Sequence, residues 1–170
     1  MIMRPALRKL TLTVHVTTSV GLLGAVARFL VLALTCLLSR APQIAHAAYP
    51  AMELMTRYAI VPLAYAALLI GIAQSLGTSW GLFQPWWVVM KLLLTLFAIL
   101  VLTLQLGNMA MLADAAALPT FGGADLRPVR MAMVLHSGVG LLVLLSPMVL
   151  SAYKPQGLTG FGLRKRQSPS

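Results

Sequence analysis

Apolar residues run almost unbroken through four stretches of the chain, and the polar ones gather between them. The first stretch extends from Leu10 to Ser39 and holds one charge, Arg28. The second covers about Tyr58 to Leu76, the third Trp86 to Leu112 and the fourth Met131 to Tyr153. Each is long enough to cross a hydrocarbon core, which takes about 20 residues of helix. No water satisfies peptide groups in lipid, so a span must close its hydrogen bonds within itself or around a barrel. None of the four alternates polar and apolar positions as a barrel strand does. The pattern predicts an all-α protein, a four-transmembrane-helix bundle with helices about 10–39, 51–77, 86–112 and 129–153. One integral membrane domain would then fill 1–170, ending in a basic tail over 154–170.

Local punctuation supports these limits. Pro50 suits the first turn of a helix, where Glu53 complements the positive helix end. Glu53 and Arg57 stand i,i+4 and predict a solvated ion pair. Pro62 predicts a bend near the interface. Pro119, Gly122, Gly123 and Asp125 mark Leu118 to Pro128 as a loop. Trp80, Trp86 and Trp87 around the middle turn read as an interfacial aromatic belt.

Composition sharpens the picture. The chain is 59% hydrophobic and only 9% charged, against about 25% charged in soluble domains. Its charge is +10, from 13 Lys and Arg against 3 acids. Nucleic-acid binding needs a basic face in water, whereas these cations sit mostly at segment ends, where lipid headgroups and topology account for them. Cys36 is the only cysteine, which removes an intrachain disulfide and a multi-thiolate metal site and leaves a small buried hydrophobe.

Orientation follows from the positive-inside rule. Arg4, Arg8 and Lys9 precede the first helix, and Lys154, Arg164, Lys165 and Arg166 follow the last. The opposite side has Arg40, Arg57, Arg127 and Arg130 together with all the acids, Glu53, Asp114 and Asp125. Both termini are therefore expected in the cytoplasm, and the protein in a bacterial inner membrane. A rival reading takes the first stretch and Ala45-His46-Ala47 as a cleavable signal. The stretch is about twice the 7–15 residues of a signal core, and it contains Arg28.

Ionisable groups inside a membrane are candidates for function by default. His15 and Lys91 are expected at one depth near the inner face. Arg28, Gln105, Asn108 and His136 are expected in the outer half, facing the bundle interior, with Tyr58 or Tyr65. Lys91, Thr95, Ala98, Leu102 and Gln105 fall on one stripe of the third helix. Thr17, Gly21, Gly24 and Arg28 share a face whose small residues would permit close packing, and Gly138 and Gly140 would do the same beside His136. Arg28 has a second reading, snorkelling outward from a tilted helix. His136 is the leading ligand candidate because imidazole binds metals and carries protons. Opposed helices nonetheless place His15 and His136 ~12–20 Å apart along the membrane normal, too far for one cofactor to bridge. His46 is expected in a solvated loop.

The segments KLTLTVHVTTSVGLLGAV, YPAMELMTRYAIVPLAYAALLIGIAQSLGTSWGLFQPWWVVMKLLLTL and LHSGVGLLVLLSPMVLSAYKPQGLTGFG resemble a family of small four-helix bacterial membrane proteins of unknown function. The most distinctive mark is the tail Tyr153-Lys154-Pro155 followed by Gly157-Leu158-Thr159. A more distant likeness, carried by His15 and Lys91, is to copper-resistance D-type proteins and the membrane-embedded haem-dependent protoporphyrinogen oxidase. That likeness would imply haem b as cofactor, and it meets Gln105 where a histidine ligand would serve better.

Three functions are consistent with these residues. The first is a non-enzymatic accessory or assembly protein whose partners are the lipid bilayer, a second copy or another membrane protein. The second is a haem-b or metal-binding redox protein using His15 or His136. The third is a small permease or metal-handling protein, in which Gln105, Asn108 and His136 line one cavity. The lack of an intramembrane acid counts against proton coupling.

Overall fold

The computed structural model describes residues 3–39, 41–77, 82–117 and 127–153, with 157 and 159. Among these residues the chain is helical apart from turns, bends and a bridge at Pro85. Helix α1 covers Pro5–Leu38, α2 Pro42–Met55, α3 Val61–Leu76, α4 Trp86–Ala116 and α5 Arg127–Tyr153. A π-helical turn over Thr56–Ile60 joins α2 to α3, so the two run as one rod. Four rods, Pro5–Leu38, Pro42–Leu76, Trp86–Ala116 and Arg127–Ser151, are long and apolar enough to cross a membrane.

The rods outrun the apolar stretches for identifiable reasons. Pro5 and Pro42 stand in the first turns of α1 and α2, where a missing N–H costs nothing, and Pro62 opens α3 behind the π-helical turn. The second rod therefore begins at Pro42 rather than near residue 51, and Pro50 lies inside α2. Ala45, Ala48, Tyr49 and Met52 recur at helical spacing and are buried together, a gain that outweighs the bond lost at Pro50. Pro62 cannot donate to the carbonyl of Tyr58, and its ring crowds that group. The wider turn just before it accommodates both faults in place of a simple bend. Arg127 and Pro128, expected in the loop, open α5. The rest of that loop (118–126), Trp80 of the aromatic belt, Arg40, Lys154 and residues 160–170 of the tail lie outside the described residues.

One end of the molecule gathers the N-terminal segment, the turn before α4 and part of the tail. The Met3 N–H donates to the Gly77 carbonyl at 3.0 Å. The Thr159 N–H donates to Gln84 at 2.8 Å and the Trp86 N–H to Gly157 at 3.4 Å. The Thr159 hydroxyl also donates to the Phe83 carbonyl. Gly157 and Thr159 thus bind the turn that starts α4. This is the terminal end; the opposite, distal end holds the tightest packing. Every buried residue of α1 (Leu22, Val26, Phe29, Ala33 and Cys36) belongs to its distal part. There they join Ala45, Ala48, Tyr49 and Met52 of α2, Leu112 and Ala116 of α4, and Met133 of α5.

Candidate functional site

Polar side chains that touch a neighbouring helix form two layers. In the terminal layer, His15 leaves α1 toward α3, where Gly71 makes room for it: a Cβ at Gly71 would lie 3.1 Å from His15 Cε1. The ring also faces the Ala67 carbonyl, and its Nδ1 is buried without a hydrogen-bond partner among the described residues. Lys91 of α4 is near enough to act on the same imidazole electrostatically. The Lys91 ammonium donates to the Ser151 hydroxyl of α5 and stands 4.5 Å above the centroid of the Trp87 ring. One turn apart on α4, Trp87 and Lys91 form a cation–π pair that holds the cation at the rim of the bundle.

The distal layer centres on Arg130. Its Nη1 donates to the Cys36 carbonyl at 3.2 Å, one of the carbonyls left open at the end of α1. Its Nε is buried without a partner among the described residues, and the Tyr49 hydroxyl faces the guanidinium. His46 is not solvated in a loop: it lies half-buried on α2, and its Nδ1 meets the Ala116 carbonyl at the end of α4. Two helix termini are therefore closed by side chains from other helices. Sequence reasoning missed Arg130, Tyr49, Ser151 and Gly71. The amphipathic spacing of Ala45, Ala48, Tyr49 and Met52 was the one local signal for Tyr49.

The expected interior layer of Arg28, Gln105, Asn108 and His136 does not form. Arg28, Asn108 and His136 are exposed and Gln105 is half-buried. The Asn108 amide donates to Gln105 Oε1 at 2.7 Å on its own helix, and His136 Nδ1 meets its own Ala132 carbonyl at 2.6 Å. Tyr58 and Tyr65 are exposed as well. The cause is volume. Leu22, Val26 and Phe29 take the core side of α1, and Arg28 stands about 120° around from them. The Thr17, Gly21, Gly24 and Arg28 face is accordingly exposed, and a Cβ at Gly24, Gly138 or Gly140 would find nothing within 4 Å. The expected close packing at these glycines is absent, and of the three polar residues of the permease reading Asn108 and His136 are exposed.

Levels also bear on a haem. Because Arg130 reaches Cys36 across antiparallel helices, His136 falls level with about residue 30 of α1, ~22 Å from His15. The two histidines cannot share one iron within a chain. His15 is packed against Gly71, and Lys91 is committed to Ser151 and Trp87, so neither the space nor the second axial ligand for haem b is provided at that level. No cluster of three or more His, Cys, Asp or Glu occurs among the described residues. Comparison of the chain with protein-family models, with curated proteins and with solved structures finds no match in any of the three.

Proposed function

We propose that the chain is a multi-pass protein of a bacterial inner membrane, with both termini cytoplasmic, that serves as a non-enzymatic accessory or assembly subunit. The observation that carries this reading is the separation of its polar side chains. His15 and Lys91 sit near one another and Arg130 near the other end, while His136 and Arg28 face outward. Among the described residues no three His, Cys, Asp or Glu gather into one cluster. The polar groups instead close helix ends and tie helices together, which is what a packing subunit requires. The excess of Lys and Arg beside the two termini supports the orientation.

Purification in detergent from haem-replete cells, followed by an absorption spectrum and metal analysis, tests this reading. The expected product is colourless and metal-free. A stoichiometric Soret band that disappears in His15→Ala or His136→Ala would replace the accessory role with a redox one. Reporter fusions at the two ends should both report cytoplasm.

A further inference from the structure

The contacts between helices fix which residues share a level. Across α1 and α3, a Cβ at Gly21 meets Leu63 at 3.6 Å, and one at Gly71 meets His15 at 3.1 Å. Six residues along α1 thus match eight back along α3, and extending either contact carries Arg28 to within about a residue of Arg57. Stepping from Lys91 and Ser151 along antiparallel α4 and α5 sets Gln105 opposite His136 to within a residue or so. Stepping from Cys36 and Arg130 sets His136 opposite residue 30. Arg28, Arg57, Gln105 and His136 therefore lie within about one helical turn of a common plane, one on each rod, exposed except for half-buried Gln105.

A second plane lies at the terminal end. From Lys9 to Arg28 is about 28 Å of helix, and so are Arg57 to Leu76 and Trp86 to Gln105. From His136 to Tyr153 is about 26 Å. All four match a hydrocarbon core of roughly 30 Å. Between the planes the only cations or imidazoles are His15, which packs on Gly71, and Lys91, which donates to Ser151 and stands over Trp87; both are half-buried. Glu53 and Asp114 both lie beyond the polar plane.

We infer that the bilayer's hydrocarbon core is offset to the terminal end, bounded by Arg28, Arg57, Gln105 and His136 in the headgroups of one leaflet, and that the distal end is a cap outside it. Arg28 is placed to meet lipid phosphates, Arg57 lies at the same level paired with Glu53, and His136, Gln105 and Asn108 face the polar headgroup zone. Packing supports this independently. Lipid offers helices no hydrophobic gain for burying apolar side chains, whereas water does. The buried residues of α1 begin only at Leu22, and the dense core of Cys36, Tyr49, Met52, Leu112, Ala116 and Met133 belongs to the cap. α2 buries Ala45, Ala48, Tyr49 and Met52 and exposes Gln43, Ala47 and Ala51 together with Ile44 and Leu54.

The decisive segment is the end of α1, whose exposed Val31, Leu34 and Leu38 continue past Arg28. Single cysteines are placed in a Cys36→Ala background at exposed positions. Val20→Cys, Leu93→Cys and Leu142→Cys lie between the planes, and Thr35→Cys, Gln43→Cys and Asp114→Cys lie beyond. Membrane fragments open on both faces are treated with a water-soluble maleimide, and each variant is referred to its labelling in denaturant. The second set should react faster by roughly an order of magnitude or more, because the thiolate needs water. Protection of Thr35→Cys equal to that of Val20→Cys would move the core outward and overturn the inference, as would protection of Gln43→Cys and Asp114→Cys. Rapid labelling of all six would instead sink the membrane reading on which the inference rests. The same series with the buried Cys36 retained guards against a background that fails to fold.

Discussion

The two ends of this molecule are held together in different ways. The distal end is packed: Met52 and Ala116 are 0% exposed, Ala33 is 1% and Cys36 is 2%. The terminal end has few buried residues, and α3 contributes only Ala64 and Ala67. There the polar link between α4 and α5 runs through Lys91 and Ser151, and backbone bonds tie Met3 to Gly77 and Thr159 to Gln84. On the placement inferred above, the surroundings of the apolar surface account for the difference: lipid would solvate an exposed leucine as well as a neighbouring helix does, whereas water would not.

The largest expected effect is the loss of a buried side chain from the distal core. Met52→Ala should lower stability by about 2–5 kcal/mol, since both the transfer energy and an unfilled cavity count against it. Leu93→Ala, at a position 55% exposed on α4, should change it by less than about 0.5 kcal/mol. Thermal unfolding of both variants in the same detergent measures the contrast. Equal losses would mean that the ends do not differ in how they are packed.

Arg130 should come next. Arg130→Met keeps the stem but removes the donor to the Cys36 carbonyl and the partner facing Tyr49. The expected cost is about 1–3 kcal/mol, the penalty of leaving a half-buried carbonyl unmet. A double-mutant cycle with Tyr49→Phe should show coupling, and strict additivity would remove Tyr49 from the arrangement.

How much of this was legible in the sequence depended on whether a residue's environment was local. Four helices followed from unbroken apolar runs, and the Glu53–Arg57 ion pair followed from i,i+4 spacing and closes at 3.0 Å. The proximity of Lys91 to His15 was suggested by counting residues from the helix ends. Direction was where the reading failed. The expectation that polar groups must avoid lipid turned Arg28, Asn108 and His136 inward, whereas the core side of α1 was already filled by Leu22, Val26 and Phe29. Depth rather than facing resolves the conflict, because a polar group near an interface need not point inward. The caps supplied by Arg130 and His46 join residues 94 and 70 positions apart, and no local pattern announces such contacts.

The smallest effect sharpens the comparison at the terminal end. A methyl group added at Gly71 would sit 3.1 Å from His15 Cε1 and 3.7 Å from its Nδ1, so the ring must give by a few tenths of an ångström. In a dense core such a shift is resisted. At the loosely packed terminal end the imidazole has room to yield, and Gly71→Ala should cost no more than about 1 kcal/mol, the low end of overpacking penalties. The cost should vanish in a His15→Ala background, because removing the ring removes the collision. A loss from Gly71→Ala that persists without the ring would show that the glycine matters to the backbone of α3, and that the packing of α1 on α3 at this level does not run through His15.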